Sequence, residues 1–86
     1  MIKKVNVKLK PNIEKEVSIK GEYIKLDSLL KYADIVDSGG IAKMIIQDEK
    51  VRVNGEICTE RGRKLHVGDK VKYSNIIVKI TGEKDG

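Results

Sequence analysis

The residue types able to carry chemistry are few, and they do not assemble into a reaction centre. The chain has one cysteine, Cys58, and one histidine, His66. They cannot form an internal disulfide or supply a four-ligand zinc site. Cys58 falls in a stretch that reads as a strand, where a lone cysteine ordinarily serves as a small buried hydrophobe. His66 stands next to a turn with no nucleophile beside it in sequence, which fits a solvated side chain. The carboxylates are scattered singly among lysines, so no pair is set up for acid–base work. Phosphate-loop, dinucleotide and Ser-His-Asp signatures are absent. The expectation is therefore no catalytic residue, no cofactor and no metal.

Binding chemistry is better supplied. Ser38-Gly39-Gly40 precedes a helical stretch. Glycines there let a ligand approach the first-turn amides, which together with the positive end of the helix dipole attract an anion. The competing reading is structural: Ser38 is an N-cap and the glycines form a tight turn between helices. Lys43, Gln47 and Lys50 continue a polar stripe from that start, and Arg52 follows on the next strand. Arg61, Arg63 and Lys64 form a second basic cluster. All three arginines lie between 52 and 63. Arginine suits bidentate phosphate or guanine contacts, whereas lysine is a less directional charge.

Elements to position these residues can be read from periodicity. Val5, Val7 and Leu9 alternate with polar residues, Pro11-Asn12 supplies a turn, and Val17 and Ile19 alternate again, so residues 3–20 read as a hairpin. Its lysines either protect an exposed strand or attract phosphate. After Gly21, Tyr23-Ile24 reads as a short strand. Leu26, Leu29, Leu30 and Ala33 define a first helix over 26–33, with Asp27 or Ser28 near its start. The second helix runs over 40–48 with Ala42, Ile45 and Ile46 inward.

Beyond it, Val51 and Val53 flank Arg52, and Asn54-Gly55 signals a hairpin. A two-residue loop sets Val53 opposite Glu56; a three-residue loop pairs Val53 with Ile57 and puts Arg52 and Cys58 on the other face. The three-residue loop is preferred. A basic loop at 61–64, a turn at 67–70 and strands through Val71/Tyr73 and Ile76/Val78/Ile80 complete the domain. Residues 82–86 are expected to fray. The division is thus a hairpin extension over 1–21, a domain over 22–81 and a tail over 82–86.

Composition sets outer limits. Eighty-six residues make one small domain, 40% apolar and 36% charged. No apolar run approaches a membrane span and no signal-peptide run opens the chain, so the cytoplasm is the expected location. Eighteen Lys and Arg against 13 Asp and Glu give +5, which favours polyanionic partners but also serves solubility. There is no Trp or Phe and only Tyr23, Tyr32 and Tyr73. A nucleic-acid partner would accordingly be met through its backbone and shape more than through splayed bases.

The strings Ile24-Lys25-Leu26-Asp27-Ser28-Leu29-Leu30, Ser38-Gly39-Gly40-Ile41-Ala42-Lys43-Met44-Ile45-Ile46-Gln47 and Val51-Arg52-Val53-Asn54-Gly55-Glu56 resemble the alpha-L RNA-binding motif. This is the domain named after ribosomal small-subunit protein S-four. The likeness continues through Arg61-Gly62-Arg63-Lys64-Leu65 and Val67-Gly68-Asp69-Lys70-Val71, covering about residues 22–73. The double glycine and the Arg-Gly-Arg-Lys-Leu stretch resemble the small, stand-alone YaaA/YbcJ-like branch.

The resemblance implies an α+β fold: two packed short helices followed by a small mainly antiparallel sheet, here with the N-terminal β-hairpin added. It implies non-catalytic binding of structured RNA, ribosomal RNA or a ribosomal precursor particle. The RNA surface would comprise Ser38, Gly39, Gly40, Lys43, Gln47, Lys50, Arg52, Arg61, Arg63 and Lys64, with Asn54-Gly55 shaping the hairpin. Two positions depart from the pattern: many members have Arg where Gly39 stands and an acidic residue where Ile41 stands. The alternative function is a protein-interaction or adaptor module that uses the edge of the N-terminal hairpin.

Overall fold

The computed structural model describes residues 12–82. In chain order it contains β1 (Ile13–Ile19), β2 (Ile24–Lys25), α1 (Leu26–Tyr32), α2 (Gly39–Gln47), β3 (Val51–Val53), β4 (Glu56–Ile57), β5 (Lys64–Leu65), β6 (Lys70–Tyr73) and β7 (Ile76–Gly82). The fold is α+β, with two helices packed on a mostly antiparallel sheet.

Both helices form where apolar residues recur at helical spacing. Leu26, Leu29 and Leu30 of α1 and Ala42, Ile45 and Ile46 of α2 are all buried. They meet Val51, Val53, Val71, Val78 and Ile80 from the sheet and Leu65 from β5 in one core. No polar or charged residue is buried among the described residues. Each helix closes with the same paired motif. After α1, Asp34 N donates to Lys31 O and Ile35 N to Leu30 O; after α2, Glu49 N donates to Ile46 O and Lys50 N to Ile45 O. Asp34 and Glu49 take the left-handed position, with φ of 61° and 63°.

The main sheet has strand order β1-β7-β6-β3-β4, and β2 pairs with β5 separately. Among the described residues only β1–β7 is parallel within the main sheet, with Ile13 opposite Ile76 and Ile19 opposite Gly82. Gly82, expected in the fraying tail, is therefore the last residue of a paired strand. The residues expected to form the second arm of an N-terminal hairpin form β1. The first arm, residues 3–10, lies outside the described residues, as do 83–86. β1 is also fastened to the helices, because Lys15 Nζ donates to the Ala33 carbonyl at the end of α1, at 2.7 Å.

A further sequence expectation is corrected at the β3–β4 hairpin. The β3–β4 hairpin has the two-residue loop, pairing Val53 with Glu56 and Arg52 with Ile57. Asn54 and Gly55 both have positive φ, 52° and 90°, the combination that fits a two-residue turn to the right-handed twist of its strands. Turn geometry outweighs the apolar alternation: Ile57 stands 47% exposed, while Cys58 turns inward at 7%. Cys58 N donates to Val51 O, so the strand contact continues just past the hairpin.

Candidate nucleic-acid interface

Helix α2 begins at the Ser38 cap, whose hydroxyl accepts from Ile41 N at 3.3 Å. The structural reading of Ser38 thus holds. The glycines are another matter. Among the described residues, a Cβ on Gly39 would meet nothing within 4 Å, and one on Gly40 only Ser38 Oγ at 3.9 Å. Neither has the positive φ that Gly55 and Gly68 have. Neither packing nor backbone conformation demands glycine at the start of α2.

From this start Lys43 and Gln47 project into solvent, opposite the buried Ala42, Ile45 and Ile46. Lys50, in the closing turn, is exposed as well. Ile41 and Met44 share the solvent side at 41% and 61% exposure, so Ile41 is not part of the core. The face is mixed, cationic and apolar.

The 61–63 loop is joined to the helices through its backbone. Helix α1 has no side-chain cap at its N-cap residue, Lys25. Instead Leu26 N donates to Arg63 O at 2.9 Å and Asp27 N to Arg61 O at 3.1 Å. The loop's carbonyls satisfy orphan amides of α1, which leaves the exposed side chains of Arg61 and Arg63 outside. Lys64 belongs to β5, opposite Lys25, and its ammonium lies 4.9 Å from the centre of the Tyr23 ring.

Nine of the ten proposed residues are exposed, and Gly39 is half-buried. They fall into two regions and one outlier. Residues 38–50 occupy the outside of α2, while Arg61, Arg63 and Lys64 border the start of α1. Arg52 is the outlier. Its neighbours Val51 and Val53 enter the core, so strand alternation sends Arg52 to the sheet face away from the helices. There it pairs across strands with Lys72 and Ile57, and its guanidinium donates to Gly55 O at 3.3 Å.

Sequence reasoning missed the companions of Arg52. Lys72 is its direct neighbour, and Lys70 sits opposite Lys79 one step along the same sheet. All three lysines are exposed. Their alternation with buried Val71 and Val78 was the available signal. Beside them Asn54 and Asp69 form a lock between the hairpin and the 66–69 turn. Asp69 Oδ2 accepts from His66 N at 2.8 Å, Asp69 Oδ1 accepts from Asn54 Nδ2 at 3.1 Å, and Asn54 Oδ1 accepts from Lys70 N at 3.0 Å. The His66 amide, followed by the Asn54 side chain and electrostatic contributions from His66 and Arg63, holds the Asp69 carboxyl below the ordinary aspartate value against the opposing effect of burial. His66 itself is 59% exposed. Among the described residues no group of three or more His, Cys, Asp or Glu is placed to hold a metal ion, and no helix is long and apolar enough to cross a membrane.

Two helices on a small sheet, closed by the Asn-Gly hairpin and the Gly-Asp turn, define a recognised class: the S4 domain family matches residues 17–81, and the chain belongs to that family. Among its relatives, a probable ribosome maturation protein, RlbA of Bacillus subtilis (strain 168), is 48% identical over 56 residues, spanning 65% of this chain and 79% of that protein. The fold also resembles the solution structure of YbcJ from E. coli, described as revealing an alpha-L motif involved in RNA binding. That likeness has a TM-score of 0.57 at 22% identity, covering 92% of this chain and 99% of the other.

Proposed function

We propose that this protein binds structured RNA, ribosomal RNA or a ribosomal precursor particle in the cytoplasm, and that it works as a docking platform without catalysis. The observation that carries the reading is the pair of glycines opening α2. With no internal demand for glycine at 39 or 40, their service is to an outside group that must come close to the helix amides. A phosphate fits that place, drawn by the amides and the helix dipole. Lys43, Gln47 and Lys50 then follow the backbone along α2, while Arg61, Arg63 and Lys64 take a second stretch near the start of α1. Membership of the S4 domain family and the name of the Bacillus subtilis relative support this reading. Arg52 and its lysine neighbours lie apart on the far sheet face, where Glu16 stands opposite Lys79, and the α2 surface does not require them.

The test is a salt titration of binding to folded ribosomal RNA fragments, beside an unstructured RNA of equal length. With about 4–6 phosphates engaged, the log–log slope should be about −3 to −5, with preference for folded RNA. Changing Lys43→Glu and Arg63→Glu together should weaken binding about a hundredfold and flatten the slope by about 2, leaving the fold intact. Equal, weak binding to both RNAs would sink the proposal and favour a protein partner.

A further inference from the structure

Two of the three tyrosines are exposed, and both line one depression. Tyr32, at the end of α1, is 74% exposed, and Tyr23, just before β2, is 41% exposed. Both line a hollow of about 380 Å³, together with Ser18, Ile19, Lys20, Gly21 and Ile24. This is within the range of about 300–1,000 Å³ usual for small-ligand clefts. Tyr32 also lines a second hollow, with Ser28 and Lys31.

Lysines lie around the aromatic pair, and Lys20 lines the hollow itself. Lys25 and Lys64 face each other across the β2–β5 ladder, a like-charge pairing that is unfavourable without an anion between or beside the two. The Lys64 ammonium sits over the Tyr23 ring, and Lys31 lies next to Tyr32. Aromatic walls with flanking ammonium groups match the two halves of a nucleotide. The rings offer stacking to a base and the lysines offer charge to its phosphate.

We infer that the hollow lined by Tyr23 and Tyr32 receives a single unpaired base of the bound RNA, stacked on Tyr32, with the adjoining phosphate held at Lys25 and Lys64. This rests on the RNA-binding reading above and extends it, since Lys64 belongs to the proposed phosphate surface as well. A base already out of its helix is the fitting occupant, because it brings a free face without the cost of unpairing. RNA recognition would then include one local feature besides backbone and shape.

The experiment compares three RNA hairpins of one sequence: fully paired, with a single bulged adenosine, and with an abasic bulge. The unchanged protein should bind the adenosine bulge about tenfold more tightly than the other two, within the about fivefold to hundredfold that one stacked base contributes. Tyrosine emission, free of tryptophan in this chain, should be quenched by the adenosine bulge alone. Tyr32→Ala should abolish the preference while leaving affinity for the paired hairpin unchanged, and Tyr32→Phe should retain it. Tyr32 is mostly solvent-exposed, so these variants do not threaten the core. Equal binding of the three hairpins with the steep salt slope preserved would overturn the base site and leave the RNA reading standing. No binding to any hairpin, or to folded ribosomal RNA fragments, would overturn both.

Discussion

The two ends of α2 invert the usual use of glycine. At its start, Gly39 and Gly40 occupy positions where a side chain has room and the backbone is ordinary. At its end, Glu49 occupies a left-handed position, φ 63°, where glycine would be free of strain. Stability alone would favour alanine at the start and glycine at the end. The start departs from that preference on the side proposed to meet RNA. Glycine is thus informative about an outside partner where the fold can do without it, and uninformative where a turn requires it, as at Gly55 and Gly68.

The hairpin–turn lock contrasts with both ends of α2, because its polar side chains are taken up by the fold. Asp69 and Asn54 spend their side chains on each other, on His66 N and on Lys70 N. Asp69→Ala should cost about 2 kcal/mol, since it removes a charged acceptor from two donors, read as a lower urea midpoint. RNA affinity of the folded fraction should stay within about twofold, in contrast to changes along α2. The pH dependence has a definite sign. The folded carboxyl is held below its ordinary value, so its stabilisation is present above the unfolded value, about pH 4, and is lost as pH falls through the folded value. Asp69→Asn should remove that part of the acid destabilisation. A large loss of RNA binding by folded Asp69→Ala would mean that the lock belongs to the interface.

The next test acts on the start of α2. Gly40→Ala should stabilise the protein by about 0.5 kcal/mol, because alanine has less conformational freedom to lose and its Cβ has room. The same methyl should obstruct a phosphate at the helix amides and weaken RNA binding about tenfold, or about 1.4 kcal/mol. Stability and affinity would then move in opposite directions. If both rise, the glycines form only a turn and the reading of the helix start fails.

How much of this was legible varies from element to element, for physical reasons. The helices were readable because Leu26, Leu29, Leu30, Ala42, Ile45 and Ile46 bury one face of each, and periodicity encodes burial directly. The β3–β4 register was not, because the sequence allowed two loops and alternation favoured placing Ile57 opposite Val53. Positive φ at Asn54 and Gly55 selects the shorter loop. The parallel pairing of β1 with β7 joins distant parts of the chain, and no local pattern names so remote a strand partner. The site divides in the same way. The charges of Arg61 and Arg63 were visible, whereas their capping of α1 was not, since carbonyls do that work and every residue has one. Arg52 looked continuous with Lys50 along the chain, yet strand alternation sends it to the other side of the sheet. Tyr23 and Tyr32 counted as scarcity in the composition; only the fold shows that they share one hollow.

The smallest expected effect lies at the other end of α2. Glu49→Gly relieves a left-handed non-glycine residue, which costs about 1–2 kcal/mol, and incurs the larger unfolded-state entropy of glycine, about 0.5–1 kcal/mol. The difference predicts a net stabilisation of about 0.5 kcal/mol, near that expected for Gly40→Ala. The two variants would then match in stability and separate in binding. Losing the Glu49 carboxylate beside Lys50 should leave RNA affinity equal or slightly higher, with an unchanged preference for folded RNA, whereas Gly40→Ala loses affinity. Asp34 supplies the internal control, because it closes α1 through the same pair of backbone hydrogen bonds and lies outside the proposed phosphate surface. If Glu49→Gly weakens RNA binding while Asp34→Gly does not, the left-handed glutamate has a role in aiming Lys50, and the end of α2 must be counted with its start.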